Sequence, residues 1–383
     1  MSVTAAKGFV ASGVQCGIRR AHRDLALVRS LEPAVGAGMF TTNRVQAAPV
    51  KVSKAHLANA APRAVVVNSG VANAATGDRG EIDALATASE AARLLDLQVE
   101  EVLVLSTGVI GVHLPLGKVR EGLRTAAGAL SPEGGEDAAD AILTTDTRAK
   151  TAVAGRDGFT VGGMAKGSGM IHPALATMLA VVTTDYPLEP GEADEFLRPA
   201  VEASFNRISV DGECSTNDAV LLLANGSSGA PRDDEGFAEA LHEVCADLAR
   251  QVVEDGEGKT VLIEVNVAGA VDEPQADAIA RRVATSPLVK TAAFGRDPNW
   301  GRVLAAAGSA PFNGGFAQLE PNRVRLALNG TTVFDGVPLG EDATLGGSSL
   351  SIELDLRMGA GSASYLASDL TYDYVRLNAE YTT

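Results

Sequence analysis

Positive charge, aromatic rings, cysteines and long apolar runs are all scarce in this chain, and each scarcity removes a class of function. Lysines and arginines number 32 against 48 aspartates and glutamates, a formal net charge of −16. Nucleic acids and anionic membrane surfaces select for basic patches, so neither is an expected partner. The three cysteines, Cys16, Cys214 and Cys245, are far apart and odd in number. They suggest neither a disulfide framework nor a metal-ligand spacing, and they fit a reducing cytoplasm. The histidines, His22, His56, His113, His172 and His242, include no pair four residues apart, so no zinc site is expected. No apolar stretch approaches the roughly 18 residues of a membrane span, and the N-terminal residues lack the apolar centre of a signal peptide. Aromatics make up 4% of the chain, with one tryptophan, Trp300, so alanine, valine and leucine must build the core. A phosphate loop is also missing. Gly258-Lys259-Thr260 ends like one, but the position of its first glycine holds Val253.

What is present is a mixture of short apolar strands, amphipathic helices and glycine-rich turns, with 41 glycines in 383 residues. Apolar runs at Phe9–Ala11, Leu25–Val28 and Val35–Phe40 read as strands. Ala64–Val67 and Glu101–Leu105 read as buried strands. The first runs into the Gly/Asn loop Asn68–Gly77, the second into Ser106-Thr107-Gly108. A strand that ends in a hydroxyl residue and a glycine can present a backbone N–H and a side-chain O–H to an oxyanion, or simply turn. Helical spacing marks Ile82–Leu95, Leu116–Leu130, Gly191–Phe205 and Gly236–Glu254. Further strands are expected at Ala219–Ala224, Val261–Val267, Arg323–Leu328 and Leu350–Leu356. The C-terminal DLTYDYVRLNAEYTT is apolar enough to pack against the body. Strands and helices alternate without an internal repeat, which predicts a mixed α/β or α+β protein in layered sheets.

The stretch from Val161 to Asp185, VGGMAKGSGMIHPALATMLAVVTTD, carries the most chemistry. An Ala176-Thr177 bond follows a glycine-flanked lysine, Lys166, and precedes an apolar run. A threonine hydroxyl is a weak nucleophile until the bond before it is cut. It then carries its own α-amine as a neighbouring base, with an unperturbed pKa of about 7.7–8.0. The residues alone leave a plainer reading open, in which Thr177 opens a buried element and Lys166 sits in a loop. If Thr177 is the nucleophile, Lys166 can neutralise a substrate carboxylate and Glu257, in a glycine-flanked loop, can hold an ammonium group.

KGSGMIHPALATML resembles the self-cleaving segment of the glutamate N-acetyltransferase (ornithine acetyltransferase) family. The likeness continues through MFTTNRVQAAPV, STGVIG, TTDT, SFNRISVDGECSTND, DGEGKT, KTAAFGRDPNWGRVLAAAG and the C-terminal NAEYTT, in that order. The resemblance implies an α+β fold of layered sheets between helices, like the N-terminal-nucleophile hydrolases but with a different topology. It implies cleavage between Ala176 and Thr177 into an α chain, 1–176, and a β chain, 177–383, that stay together as one intertwined unit. Two of each, or more, would assemble as a heterotetramer or larger. It implies acetyl transfer from N-acetylornithine to glutamate through an ester on Thr177, in the cytoplasm, with no metal and no cofactor, although some members also use acetyl-coenzyme A as donor. Thr107 and Gly108 match the family's oxyanion-hole pair, and Thr144, Lys166, Thr177, Glu257, Asn378 and Thr383 its substrate contacts. An amidohydrolase or aminopeptidase with the same threonine is the rival reading. One stretch departs from the family pattern: NSGVANAATG stands where NSGNANACTG is usual, with Val71 for an amide and Ala75 for a cysteine.

Overall fold

The computed structural model describes residues 2–172, 178–340 and 343–380. In chain order the first part runs β1 (Phe9–Val14), β2 (Leu25–Ser30), β3 (Val35–Phe40), α1 (Ala48–Asn59), β4 (Ala64–Val71), α2 (Gly77–Leu95), β5 (Val102–Val109), α3 (Leu116–Gly128), α4 (Gly135–Ala141), β6 (Lys150–Arg156) and β7 (Phe159–Lys166). It continues with β8 (Leu179–Thr184), α5 (Glu192–Glu202), the two-residue β9 (Ile208–Ser209), β10 (Ala219–Ala224) and α6 (Asp234–Glu254).

Two sheets form the body. One has the order β1-β2-β4-β5, the other β3-β10-β8-β7-β6. Successive strand residues point to opposite faces, so a strand covered on both sides is apolar throughout. This is why AVVV in β4 and VLVL in β5 read as continuous runs. Val65, Val67, Leu103 and Leu105 point inward and meet Leu179, Val181, Leu221 and Leu223 of the second sheet in one buried cluster. Val66 and Val104 face the other way and pack on Ala84, Ala88 and Ala91 of α2 and on Leu123 of α3. The outer face of the second sheet, through Val161, Val182 and Leu222, is covered by α5 and α6. The layers are therefore helix, sheet, sheet and helix, the layered α+β arrangement expected above.

A third sheet of six strands is built around β11 (Leu262–Ala270), with Ser349–Asp355 parallel to it on one side and Gly361–Ser368 antiparallel on the other. It has a core of its own, beneath α7 (Glu273–Ala284). β9 is its edge strand and links it to the sandwich. Most strand and helix positions read from sequence hold, with boundaries shifted by a few residues. Three readings are corrected. Lys166 is the last residue of a strand, not a loop residue. Residues 48–59, which carried no helical expectation, form α1. The C-terminal Tyr372–Glu380 is a helix with no buried residue, and Tyr372 is 83% exposed. What holds it is polar, together with an edge-on contact of Tyr372 with Phe294 at 5.3 Å. Among the described residues no helix is long and apolar enough to cross a membrane.

Candidate active site

Parallel strands β4 and β5 end side by side, with Ser69 opposite Thr107 and Gly70 opposite Gly108. Asn68 ties the two ends together: it accepts from Ser106 Oγ at 2.6 Å and donates to the Val71 carbonyl at 2.8 Å. Asn217, in the turn before β10, donates to the carbonyls of Ala72 (2.6 Å) and Ser106 (2.8 Å). The loop that departs from the family pattern therefore still has buried anchors, although Ala75 takes a positive φ of 55°. Replacing Asn217 by alanine leaves two carbonyls without this donor. The expected loss is about 1–3 kcal/mol of stability, read as a lowered Tm; an unchanged Tm would contradict the anchoring role.

The second sheet contributes Lys166, at the end of β7. The ladder sets it opposite Leu179 of β8, and Leu179 is in turn opposite Ala219 of β10. Lys166 is buried, 3% exposed, and its Nζ donates to Thr107 Oγ1 at 3.3 Å. That bond occupies an acceptor position on the Thr107 oxygen and leaves the hydroxyl proton free to donate into the cleft. Burial lowers the Lys166 pKa, and the Lys150 charge lowers it further; Asp146, Asp218 and Glu257 act in the opposite direction.

Thr107, Gly108, Thr144, Lys166, Glu257 and Asn378 line one cleft, together with Ala72, Ile110, Thr145, Met170 and Ser215–Asn217. Six of the residues that the resemblance implied thus converge from five separate parts of the chain. Asn378 Nδ2 donates to Glu257 Oε2 at 2.8 Å, so the exposed C-terminal helix reaches the cleft through this contact. Ala176, Thr177 and Thr383 lie outside the described residues. On either side of residues 173–177, two aspartates hold the chain, Asp211 partly buried and Asp218 buried. Asp211 accepts the N–H groups of Met170 (2.6 Å) and Ile171 (2.9 Å). Asp218 accepts that of Met178 (3.1 Å). Burial pushes the Asp218 carboxyl well above its ordinary pKa, and its second oxygen has no hydrogen-bond partner among the described residues.

Sequence reasoning read the Ser215–Asn217 turn as a polar loop and gave it no role at the cleft. Among the described residues no group of His, Cys, Asp and Glu has metal-binding geometry. The cleft offers one buried cation, one carboxylate, hydroxyl and backbone donors at a strand end, and small polar walls. This set suits a small zwitterion whose carbonyl reacts.

The chain is similar to known proteins along its length. Residues 10–383 match the ArgJ family. The arginine biosynthesis bifunctional protein ArgJ of Streptomyces coelicolor is 48% identical, covering 100% of both chains. That of Mycolicibacterium paratuberculosis is 48% identical over 100% of this chain and 96% of its own. The crystal structure of ornithine acetyltransferase from Mycobacterium tuberculosis, complexed with ornithine, is 42% identical; the match covers 46% of this chain and 96% of that one with a TM-score of 0.44. With a family match across almost its whole length and full-length relatives near half identity, the chain belongs to the ArgJ family and is an acyltransferase.

Proposed function

We propose that the chain cuts itself between Ala176 and Thr177 and then moves an acetyl group from N-acetylornithine to glutamate. In the first half-reaction the Thr177 hydroxyl attacks the acetyl carbonyl. The carbon–nitrogen bond breaks, and the hydroxyl proton passes through the α-amine of Thr177 to the departing amine of ornithine. In the second, the amine of glutamate attacks the threonine ester, the carbon–oxygen bond breaks and the hydroxyl regains a proton. The oxyanion formed in each step is stabilised by the Thr107 hydroxyl and a backbone N–H at Gly108. Lys166 receives a substrate carboxylate, Glu257 and Asn378 an amine, and Thr144 and Thr383 complete the contacts.

The observation that carries this reading is the register that sets Leu179 beside Lys166. Thr177 precedes Leu179 by two residues in the sequence, and Lys166, the partner of Leu179, lines a cleft with the donors this chemistry requires. The same sheet takes β3, β6 and β7 from before the cut and β8 and β10 from after it. Separating 1–176 from 177–383 would break the β7–β8 ladder, which supports two pieces that remain together; their pairing into a heterotetramer or larger assembly in the cytoplasm is carried by the family resemblance. The relatives' name, bifunctional, fits acetyl-coenzyme A as a second donor that makes N-acetylglutamate directly.

The test is to incubate the protein with N-acetylornithine alone and weigh the denatured pieces. One acetyl group is expected on the 177–383 piece, and added glutamate should remove it as N-acetylglutamate. Release of acetate at the same rate with and without glutamate would make the chain an amidohydrolase and overturn the transfer. Substituting acetyl-coenzyme A as donor in the same assay tests the second activity.

A further inference from the structure

Behind the cleft lies a buried set of charges that does not line it. Lys150, at the start of β6, is fully buried, and its Nζ donates to Asp146 Oδ1 and to Asp255 Oδ2, each at 2.6 Å. Asp146 Oδ1 also accepts the N–H of Gly167 at 2.7 Å. Its Oδ2 accepts the N–H of Thr144 at 3.0 Å and lies 4.0 Å from Lys166 Nζ. Asp255 accepts from the backbone and hydroxyl of Thr147, while its carbonyl accepts from Ser168 Oγ at 2.9 Å. Three cleft walls, at Thr144, at Lys166 and at Glu257 two residues beyond Asp255, are thereby fastened to one lysine and one aspartate.

We propose that Asp146 and Lys150 are positioning residues: Asp146 holds Lys166 in place as an ammonium ion, and Lys150, which fastens Asp146 to Asp255, keeps the Thr144 and Glu257 walls in register, so that the cleft takes an α-carboxylate. The arrangement is more than a scaffold because the two groups act on Lys166 with opposite sign. Burial disfavours the Lys166 charge; the Asp146 carboxylate restores it, and Lys150 opposes it. Burial alone would raise the Asp146 carboxyl, but Lys166 and Lys150 hold it well below the usual carboxylate range, so it stays ionised. Asp218, from the turn before β10, and Glu257, after α6, also face Lys166 and favour its charged form. A charged carboxylate about 4 Å from a lysine is worth roughly one to three pH units on its titration.

The inference rests on the acetyl-transfer reading, and the test separates the two. KM for glutamate is measured against pH in the self-cleaved protein. KM does not depend on the fraction of active protein, so incomplete cleavage of a variant does not distort it. In the wild type, KM should rise as pH climbs through the Lys166 titration, because the ammonium that receives the carboxylate is lost. Asp146→Asn removes the restoring charge and should move this rise to lower pH by roughly one to three units. Lys150→Gln removes the opposing charge and should move it to higher pH. Should Asp146→Asn not yield folded protein, the upward shift in Lys150→Gln carries the test. A purely structural role predicts higher KM with the break left in place, or moved in the same direction in both variants; either result overturns the inference. Absence of any acetyl transfer in the wild type overturns the reading on which it rests, and the inference with it.

Discussion

Alanine in place of Thr177 is expected to leave the purified protein as one chain of 39.2 kDa under denaturing conditions, where the wild type is expected to run as two pieces. It should also lower acetyl transfer by roughly 10⁴-fold or more, the scale on which enzymes lose rate with their nucleophile. Both effects follow from a single atom. In the proposed mechanism the hydroxyl that attacks the Ala176 carbonyl during maturation is the one that later carries the acetyl group, and alanine lacks it. The proposed cleavage also creates the α-amine that would serve as base, so the uncut variant should lose nucleophile and base together. Thr177→Ser keeps a hydroxyl and should keep both cleavage and some transfer, which separates the loss of the group from a disturbance of the segment. Intact mass decides the matter. Two pieces in the alanine variant would mean that another group cuts the chain, and an uncut variant that still transferred acetyl would remove Thr177 from the mechanism.

The strand ends that build the cleft were legible because continuous apolar runs are what a sheet covered on both faces requires. Ala64–Val67 and Glu101–Leu105 announce themselves in this way, and the hydroxyl and glycine that follow mark where the second chain direction stops. The β6–β7 hairpin had a signal too: the alternating KTAVAGR and FTVGGMAK flank Asp157-Gly158, a dipeptide that favours tight hairpin turns. Reading it would have moved Lys166 from a loop to a strand end. The Asp146–Lys150–Asp255 set had none. A charged residue in a polar stretch reads as solvated surface, and only the folded chain brings residues 146 and 150 against 255. The C-terminal stretch misled in the opposite direction. Tyr372, Val375 and Leu377 are apolar, but all three are exposed, and the segment meets the site through the polar Asn378. The role of Thr144 came from the family resemblance alone, whereas those of Thr107 and Glu257 were open readings of the residues that the resemblance matched. Their assembly in one cleft, which no spacing in the sequence displays, is what the fold adds.

Gly108→Ala is the second variant expected to cost most, for a reason that combines backbone and chemistry. Gly108 has a φ of +131°, and a Cβ built there would lie 2.2 Å from the carbonyl carbon of Gly70, 2.5 Å from the nitrogen of Val71 and 2.6 Å from the Cα of Gly70. All three are backbone atoms of the adjacent parallel strand, so no side chain can swing aside to make room. Strands β4 and β5 must part where their ends form the candidate oxyanion site. Overpacking of this kind costs about 1–3 kcal/mol and the left-handed backbone about 1–2 kcal/mol for a non-glycine residue, a combined loss of about 2–5 kcal/mol that thermal unfolding should show. Displacing one oxyanion donor lowers kcat by roughly 10²–10³-fold. Gly111→Ala is the control. Gly111 has a φ of +80° but open space where its Cβ would go, and it does not line the cleft. It should lose only the backbone share of stability and keep kcat within a few-fold. If Gly108→Ala matched this control in both Tm and kcat, the close approach of β4 to β5 would have no part in catalysis, and the oxyanion site would have to be sought elsewhere in the cleft.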